Sequence, residues 1–205
     1  MNFCRETLPD SQSRLRLIHA LPEAGSIDVY ANGELIAKGL LFGKVVPYLQ
    51  LKPGSYEIQL YPSGLYDNPL FTKTINLLPN SASTVSIITF YNNIDLFLLN
   101  DSTSGPSISN SFLRFIHLSP NSPLVTLSLL NNVPLFSNVE YVETTGYYPL
   151  SPGIYNFRVT LSSLQAISQL ITNLRLLNGQ FYTIYIIGLF NNTPPLGYLV
   201  LRDSL

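Results

Sequence analysis

An internal repeat with a spacing of 98 to 99 residues constrains the fold of this chain more than any other feature. The segment Leu15–Pro22 (LRLIHALP) returns at 113–120 as LRFIHLSP, and Lys52–Ile58 (KPGSYEI) returns at 151–157 as SPGIYNF. A third block, T-V-S-I-I, returns as T-I-Y-I-I at the same spacing. Self-similarity at a fixed period indicates a duplicated structural unit.

The duplication predicts two domains, each of about 100 residues and therefore large enough to bury its own core. The predicted linker is short and polar and contains Gly105-Pro106, as domain boundaries often do. The predicted parts are an N-terminal arm at 1–13, a first repeat at 14–101, a linker at 102–110 and a second repeat at 111–205.

Short runs of alternating apolar residues are interrupted every 8 to 12 positions by Gly, Pro, Asn or Asp. This spacing is typical of an all-β sandwich, and helical periodicity is nearly absent. We expect eight strands in each repeat, with the fourth strand of the second repeat at Thr144–Tyr148. Asn32-Gly33 predicts a tight hairpin turn, because a type I′ turn needs positive φ at both positions. The predicted fold is two tandem immunoglobulin-like β-sandwich domains.

Each repeat contains the motif Pro-Gly-x-Tyr at the start of a predicted strand. The Pro-Gly pair favours a tight turn, and the tyrosine is placed to enter the core while its hydroxyl reaches backbone at the sandwich corner. A structural role is therefore favoured over a functional one. The motif residues are Pro53, Gly54 and Tyr56 in the first repeat and Pro152, Gly153 and Tyr155 in the second.

Charged residues make up 11% of the chain and the net charge is −1, whereas about 25% is ordinary for a soluble protein. The charges are scattered singly, so the basic stripe that marks nucleic-acid binding is absent. A surface with few charges has little to prevent pairing at sheet edges. Self-association is therefore favoured over the alternative, a monomer with an uncharged hydroxyl- and amide-rich surface.

The last strands of both repeats are apolar on both faces, which indicates that both faces are covered. The sister repeat and another subunit are equally compatible with this pattern. If another subunit covers them, the outer faces of these strands form an assembly surface. Its candidate residues are Phe97, Leu99, Tyr185, Ile187, Tyr198 and Val200.

The single cysteine, Cys4, excludes an intrachain disulfide and a cysteine-based zinc site. Cys4 either forms an interchain disulfide or remains a reduced thiol in the N-terminal arm. The first ten residues lack the apolar region of a signal peptide. The sequence contains no run of about 18 apolar residues, so no membrane-spanning helix is predicted. We therefore expect synthesis in the cytoplasm, and a later place at a surface would be reached by another route.

His19 and His117 occupy equivalent positions near the ends of equivalent strands. A functional interpretation pairs His19 with Asp28 for proton transfer or metal binding. The structural interpretation is a buried histidine bonded to loop backbone. It is favoured because Asp28 is replaced by Thr126 in the second repeat while His117 remains. The proline three residues after each histidine is Pro22 in the first repeat and Pro120 in the second.

The sequence lacks a nucleophile elbow, a phosphate-binding loop, a dinucleotide-binding motif, a zinc-protease motif and an EF-hand loop. We therefore predict no enzymatic activity, no cofactor and no metal. The alternative to a structural protein is a module that binds carbohydrate or peptide through its loops. Tyrosines near predicted loops or strand ends are Tyr61, Tyr66, Tyr91, Tyr147 and Tyr148.

The patterns R-[LF]-I-H-x-x-P, I-D-V-Y-x-N-G and Y-L-x-L-x-P-G-x-Y-x-I together resemble the bacterial family called domain of unknown function 4397. The resemblance extends over roughly residues 14–203, with a departure at 126–128, where T-L-S replaces D-V-Y. It implies immunoglobulin-like or transthyretin-like β domains, often in tandem and often on exported bacterial proteins. It implies no activity and supplies no catalytic residues. A place on bacterial spores is a hypothesis that follows from the same resemblance.

Overall fold

The computed structural model describes residues 11–102, 109–162 and 166–203, without the side chains of 166–168. Cys4 and most of the predicted linker lie outside these residues. The described residues form β-strands and no helix, which confirms the prediction of an all-β protein. No helix capable of crossing a membrane is found in this part of the chain.

The first repeat contains eight strands. They are β1 (Ser13–His19), β2 (Ile27–Ala31), β3 (Glu34–Leu40), β4 (Val45–Leu51), β5 (Gly54–Pro62), β6 (Phe71–Leu77), β7 (Ala82–Phe90) and β8 (Asn93–Asp101). They form two four-stranded sheets, with strand orders β4-β1-β7-β8 and β3-β2-β5-β6. The first strand, β1, pairs in parallel with β7 and antiparallel with β4.

The second repeat also contains eight strands. They are β9 (Ser111–His117), β10 (Val125–Leu129), β11 (Pro134–Val139), β12 (Tyr148–Leu150), β13 (Gly153–Leu161), β14 (Ala166–Leu176), β15 (Phe181–Ile187) and β16 (Gly197–Arg202). Their strand orders, β12-β9-β15-β16 and β11-β10-β13-β14, are those of the first repeat. The parallel pair is β9 with β15, as β1 pairs with β7. The duplication in sequence is therefore a duplication of strand order.

The chain divides into two compact units that follow the repeats closely. One contains β1 together with residues 25–87 and 95–101, and the other contains the second repeat together with 20–24 and 88–94. In the first unit, Ile58 and Leu60 of β5 are fully buried. In the second, Phe157 and Val159 of β13 occupy the equivalent core positions. Burial of each such side chain stabilises the fold by about 1.5–3 kcal/mol.

Turn chemistry in the sequence produces the observed turns. Asn32 and Gly33 have φ values of 50° and 80°, as the β2–β3 hairpin requires. At the corner before β5, the Tyr56 hydroxyl donates to the Lys52 carbonyl at 2.9 Å, and the Tyr155 hydroxyl donates to the Ser151 carbonyl at 2.7 Å. Each tyrosine therefore ties a strand to the Pro-Gly turn that precedes it.

The strand expected at Thr144–Tyr148 is instead the three-residue β12, which begins at Tyr148. Thr144 makes an isolated bridge to Ile116. The Thr145 hydroxyl accepts a hydrogen bond from the Phe115 N–H at 2.9 Å. Because a side chain takes the place of a backbone acceptor there, the regular ladder starts three residues later.

Candidate ligand-binding surface

Strand β2 places Asp28 and Tyr30 on the outer face of its sheet. Ile27, Val29 and Ala31 alternate with them and are buried in the core. The antiparallel register sets Asp28 opposite Tyr61 and Tyr30 opposite Gln59 on β5. Two tyrosines, a carboxylate and an amide therefore meet on one outer face of the first unit.

The carboxylate of Asp28 is fully buried and accepts hydrogen bonds from two backbone and two side-chain donors. The N–H of Gly39 lies 2.6 Å from Oδ1, and the Ser63 hydroxyl lies 2.9 Å from the same oxygen. The Tyr66 hydroxyl and the Gly64 N–H donate to Oδ2 at 2.8 and 3.4 Å. These bonds fasten the loop after β5 and the end of β3 to β2.

Burial opposes ionisation of Asp28 and would by itself raise its pKa. The hydrogen bonds from Gly39, Tyr66, Ser63 and Gly64 outweigh burial and hold the pKa below its ordinary value. The Asp28 carboxylate is therefore ionised at neutral pH and fully occupied by donors from its own unit. The same hydrogen bond raises the pKa of Tyr66, so the Tyr66 phenol remains neutral.

Tyr30, Tyr61 and Tyr66 form a cluster of three aromatic rings, here called the tyrosine cluster. The ring centroids of Tyr30 and Tyr61 are 5.4 Å apart, and Tyr66 lies 6.1 Å from each of them. Tyr30 and Tyr61 are half-buried, whereas Tyr66 is 49% exposed. Edge-to-face contacts of this kind stabilise aromatic clusters and leave ring faces available to other molecules.

The tyrosine cluster lines a shallow depression of about 260 Å³ together with Gly33 and Gln59. The amide of Gln59 donates to the Glu57 carboxylate at 3.0 Å. The walls therefore combine aromatic rings with uncharged hydroxyl and amide groups. Such a lining suits a small, polar, uncharged ligand.

The second repeat has no equivalent cluster among its described residues. In its register, Thr126 lies opposite Thr160, and Ser128 lies opposite Arg158. The first of these pairs takes the place of Asp28 and Tyr61 in the first repeat, and the second takes the place of Tyr30 and Gln59. The Thr126 hydroxyl accepts one hydrogen bond, from the Asn138 N–H at 3.0 Å. The Thr126 hydroxyl thus bonds the edge strand β11 to β10, whereas in the first repeat the Asp28 carboxylate bonds the edge strand β3 to β2.

The histidines are the last residues of β1 and β9, and both are fully buried. Nε2 of His19 lies 3.0 Å from the Gly25 carbonyl, and Nδ1 of His117 accepts the Ser119 N–H at 3.3 Å. Burial lowers the pKa of both, that of His117 to about 4. Of the two prolines that follow the histidines in sequence, Pro22 is buried and Pro120 is half-buried.

The pairing of His19 with Asp28, which proton transfer would need, is not formed within the part of the chain that is described. All four donors to Asp28 belong to the end of β3 and the segment after β5. Within the same described residues, no cluster of three or more metal-binding side chains occurs. The histidines therefore join loop backbone to strand ends.

A buried polar cluster in the first repeat, not recognised from the sequence, surrounds Asp101 at the end of β8. Nε of Arg16 donates to the Thr84 hydroxyl at 2.9 Å, and that hydroxyl donates to the Asp101 carboxylate at 2.5 Å. Tyr48 donates to the same carboxylate at 2.7 Å, and its ring lies 4.7 Å from the Arg16 guanidinium carbon. Arg16 and Asp101 also form an ion pair at 3.6 Å.

The second repeat rebuilds this cluster from Arg114, Thr183, Tyr147 and Asp203. Arg114 donates to the Thr183 hydroxyl at 3.0 Å and approaches Asp203 to 3.7 Å. Tyr147 donates to Asp203 at 2.8 Å beneath the Arg114 guanidinium. Arg114 is 4% exposed and Asp203 is fully buried, so the cluster is a structural ion pair. This burial also removes Tyr147 from the tyrosines suited to ligand stacking.

The candidate assembly residues differ widely in exposure. Tyr185 and Ile187 of β15 are 0% and 5% exposed, so they offer no outward surface and that part of the expectation is corrected. Every residue of β15 is buried, as expected for a strand that is apolar on both faces. Tyr198 of β16 is exposed. The half-buried members are Phe97 and Leu99 of β8 and Val200 of β16.

Comparisons with solved structures find low similarity in both sequence and shape. A family 26 carbohydrate-binding module of Eubacterium rectale Amy13K, solved with maltoheptaose, shares 11% identity over 93% of this chain and 96% of that chain, at a TM-score of 0.29. A candidate cell adhesion protein from Bacteroides fragilis shares 10% identity over 90% of this chain and 85% of that chain, at a TM-score of 0.23. No curated protein matches the sequence.

One family model matches the chain, over residues 13–128. The match covers the first repeat and ends at Ser128. The repeated motifs predict a second tandem copy, and that copy is not matched. The departure at 126–128 lies where this match stops. Because the matched residues make up more than half of the chain, the protein belongs to the family described as Domain of unknown function (DUF4397).

Proposed function

We propose that this protein is a non-enzymatic binding module whose tyrosine cluster binds carbohydrate. The observation that carries the proposal is the group of three tyrosine rings around one depression, with Tyr66 49% exposed. Sugar rings present apolar C–H groups on one face and hydroxyls at the edge. Exposed aromatic rings beside neutral hydrogen-bonding groups complement both features.

Charge and size favour a sugar over a peptide at this surface. The carboxylate of Asp28 is buried and occupied, so it leaves no free charge in the depression for a peptide terminus or a lysine. A polyproline peptide extends about 3.1 Å per residue and needs a groove that spans several residues. The three ring centroids all lie within 6.1 Å of one another, which matches a single sugar ring.

The test is a glycan array followed by calorimetric titration with the glycan that binds best. Y66A removes the most exposed ring and is expected to weaken binding at least about ten-fold. Y148A is the matched control, because Tyr148 is 46% exposed but lies in the second repeat. An array without binding, or equal affinities for Y66A and the wild type, would refute the proposal.

A second proposal, self-association, is supported by the edge strands. Three strands at the ends of their sheets carry a proline, which cannot donate to an added strand: Pro47 in β4, Pro134 in β11 and Pro149 in β12. The other edge strands, β3, β6, β8, β14 and β16, carry none. Among them, β8 and β16 hold the apolar candidates Phe97, Leu99, Tyr198 and Val200, so pairing between copies is proposed there.

Light scattering across a concentration series tests self-association. We expect masses that are multiples of 22.8 kDa, lost in Y198K and retained in Y148K, a control on an edge that already contains a proline. Loss of the larger species with reductant would place Cys4 at the junction. A mass of 22.8 kDa at all concentrations would exclude self-association. Location at a cell or spore surface remains a prediction from the sequence.

A further inference from the structure

We infer that the tyrosine cluster selects a single, soluble, uncharged glycan chain over the flat face of a crystalline polysaccharide. This inference rests on the proposed carbohydrate binding and adds the shape of the ligand to it. The angles between the rings, the hydrogen bond of Tyr66 to Asp28 and the size of the depression support it.

The three rings cannot lie flat against one surface. The Tyr30 plane makes angles of 75° with Tyr61 and 81° with Tyr66, and Tyr61 and Tyr66 are 56° apart. A crystalline polysaccharide presents a plane of parallel sugar faces, which binds aromatic rings that share one plane. Steeply inclined rings instead surround one sugar unit, with one ring against its face and the others against its edges.

Hydrogen bonds hold Tyr66 in the cluster. The Tyr66 hydroxyl donates to Asp28 at 2.8 Å, and the same carboxylate is bonded to Ser63 and to the backbone of Gly64 in the Tyr66 loop. Movement of the Tyr66 side chain away from Tyr30 and Tyr61 would break a hydrogen bond to a buried carboxylate. The Tyr66 ring is therefore held beside the other two rings before a ligand binds.

The depression itself is shallow and small. Its volume of about 260 Å³ lies just below the about 300–1,000 Å³ of ordinary ligand pockets. A chain that is free in solution can place one of its rings into such a depression, whereas a ring within a crystal lattice is held level with its neighbours. The neutral lining from Gln59 and the phenol groups selects uncharged sugars.

The experiment compares soluble and crystalline ligands with the full chain. Soluble starch, dextran, galactomannan and xylan are tested by affinity electrophoresis, and microcrystalline cellulose and chitin are tested by depletion from solution. We expect retardation by at least one soluble polymer, with an apparent affinity at least about ten-fold above that for either crystal. Y66A should abolish the retardation, and Y148A should leave it unchanged.

A second variant, Y66F, keeps the ring and removes the hydrogen bond to Asp28. It is expected to retain binding to the soluble polymer with an affinity reduced about three- to ten-fold, because the ring is no longer held. Circular dichroism of both variants verifies that the sheets remain folded. Equal soluble affinity for Y66F and the wild type would overturn the role of the tether.

The outcomes separate this inference from the proposed function. Binding to cellulose or chitin that depends on Tyr66 and equals the soluble affinity would overturn the shape selection while leaving carbohydrate binding intact. Absence of binding to every polysaccharide would refute the proposed function itself. Binding of a proline-rich peptide in place of glycans, lost in Y66A, would likewise refute it.

Discussion

Burial of His117 makes the stability of the second unit depend on pH between 7.5 and 4. The imidazole is fully buried, and this burial lowers its pKa from 6.5 to about 4. The unfolded chain therefore binds a proton at His117 in a pH range where the folded chain does not. Because the unfolded state then binds more protons, stability falls as the pH falls through this range.

The magnitude follows from the two pKa values. At pH 7.5 both states are nearly unprotonated at His117, so its contribution to the pH dependence is close to zero. At pH 5.0 protonation favours the unfolded state by about 2 kcal/mol, from the ratio of the two binding polynomials at pKa 6.5 and about 4. Below pH 4 both states bind the proton, and the loss levels off.

Urea unfolding at pH 7.5 and pH 5.0, followed by NMR signals of the second repeat, measures this loss. H117Q should lack it, so the wild type should lose about 2 kcal/mol more than H117Q between the two pH values. Protonation of Asp28 does not interfere, because its pKa lies below 3.8. An NMR titration with a His117 midpoint near 6.5, or equal losses in both proteins, would refute the reasoning.

Three further substitutions test the structure directly by urea unfolding. D28N should lower the free energy of unfolding of the first unit by roughly 2–4 kcal/mol at pH 7, because charge-assisted hydrogen bonds to the carboxylate are weakened. It should also remove the acid sensitivity that the lowered Asp28 pKa produces as the pH falls below about 4. An unchanged unfolding midpoint would contradict this. G188A should cost roughly 2–5 kcal/mol, because its Cβ would lie 2.2 Å from the Pro195 carbonyl oxygen. G33A, with similar positive φ but open space, should cost about 1–2 kcal/mol, and equal costs would exclude the steric clash. Y56F should cost about 0.5–1.5 kcal/mol for the lost hydrogen bond to Lys52, and a neutral effect would show that this bond adds nothing.

The strands and turns were predictable because their signals are local. Alternation of apolar residues at period two places Ile58 and Leu60 in the core without knowledge of any partner. Asn32-Gly33 forms its turn through its own backbone preferences. The start of β12 was missed because the hydroxyl of Thr145 replaces a ladder bond, and sequence alternation does not report such a replacement.

The polar clusters were missed because their members are far apart in sequence and their spacing differs between repeats. Asp101 and Asp203 are 102 positions apart rather than 98 or 99, since the segment between β15 and β16 is longer than the turn between β7 and β8. A comparison at one fixed spacing therefore does not align them. The shared ends of β8 and β16 identify them only once the strand order is known.

The tyrosine cluster was predictable in part. Tyr61 and Tyr66 were selected for their places near loops, but Tyr30 reaches them through the register between β2 and β5. The donors to Asp28 were not predicted, because two of the four are backbone N–H groups of Gly39 and Gly64, which no side-chain motif indicates. Register and backbone donors are long-range properties of the folded sheet.

The two repeats differ most where a ligand surface would lie. Both keep the buried arginine–threonine–aspartate–tyrosine cluster, the tyrosine bonded to the Pro-Gly turn, and the buried histidine. These features stabilise a sandwich whatever it binds. The outer face of β2 and β5 carries tyrosines in the first repeat, whereas the equivalent face carries Ser128 and Thr160 in the second. A surface that the fold does not need, present in the first copy and not found among the described residues of the second, supports the proposal that the first repeat recognises a ligand.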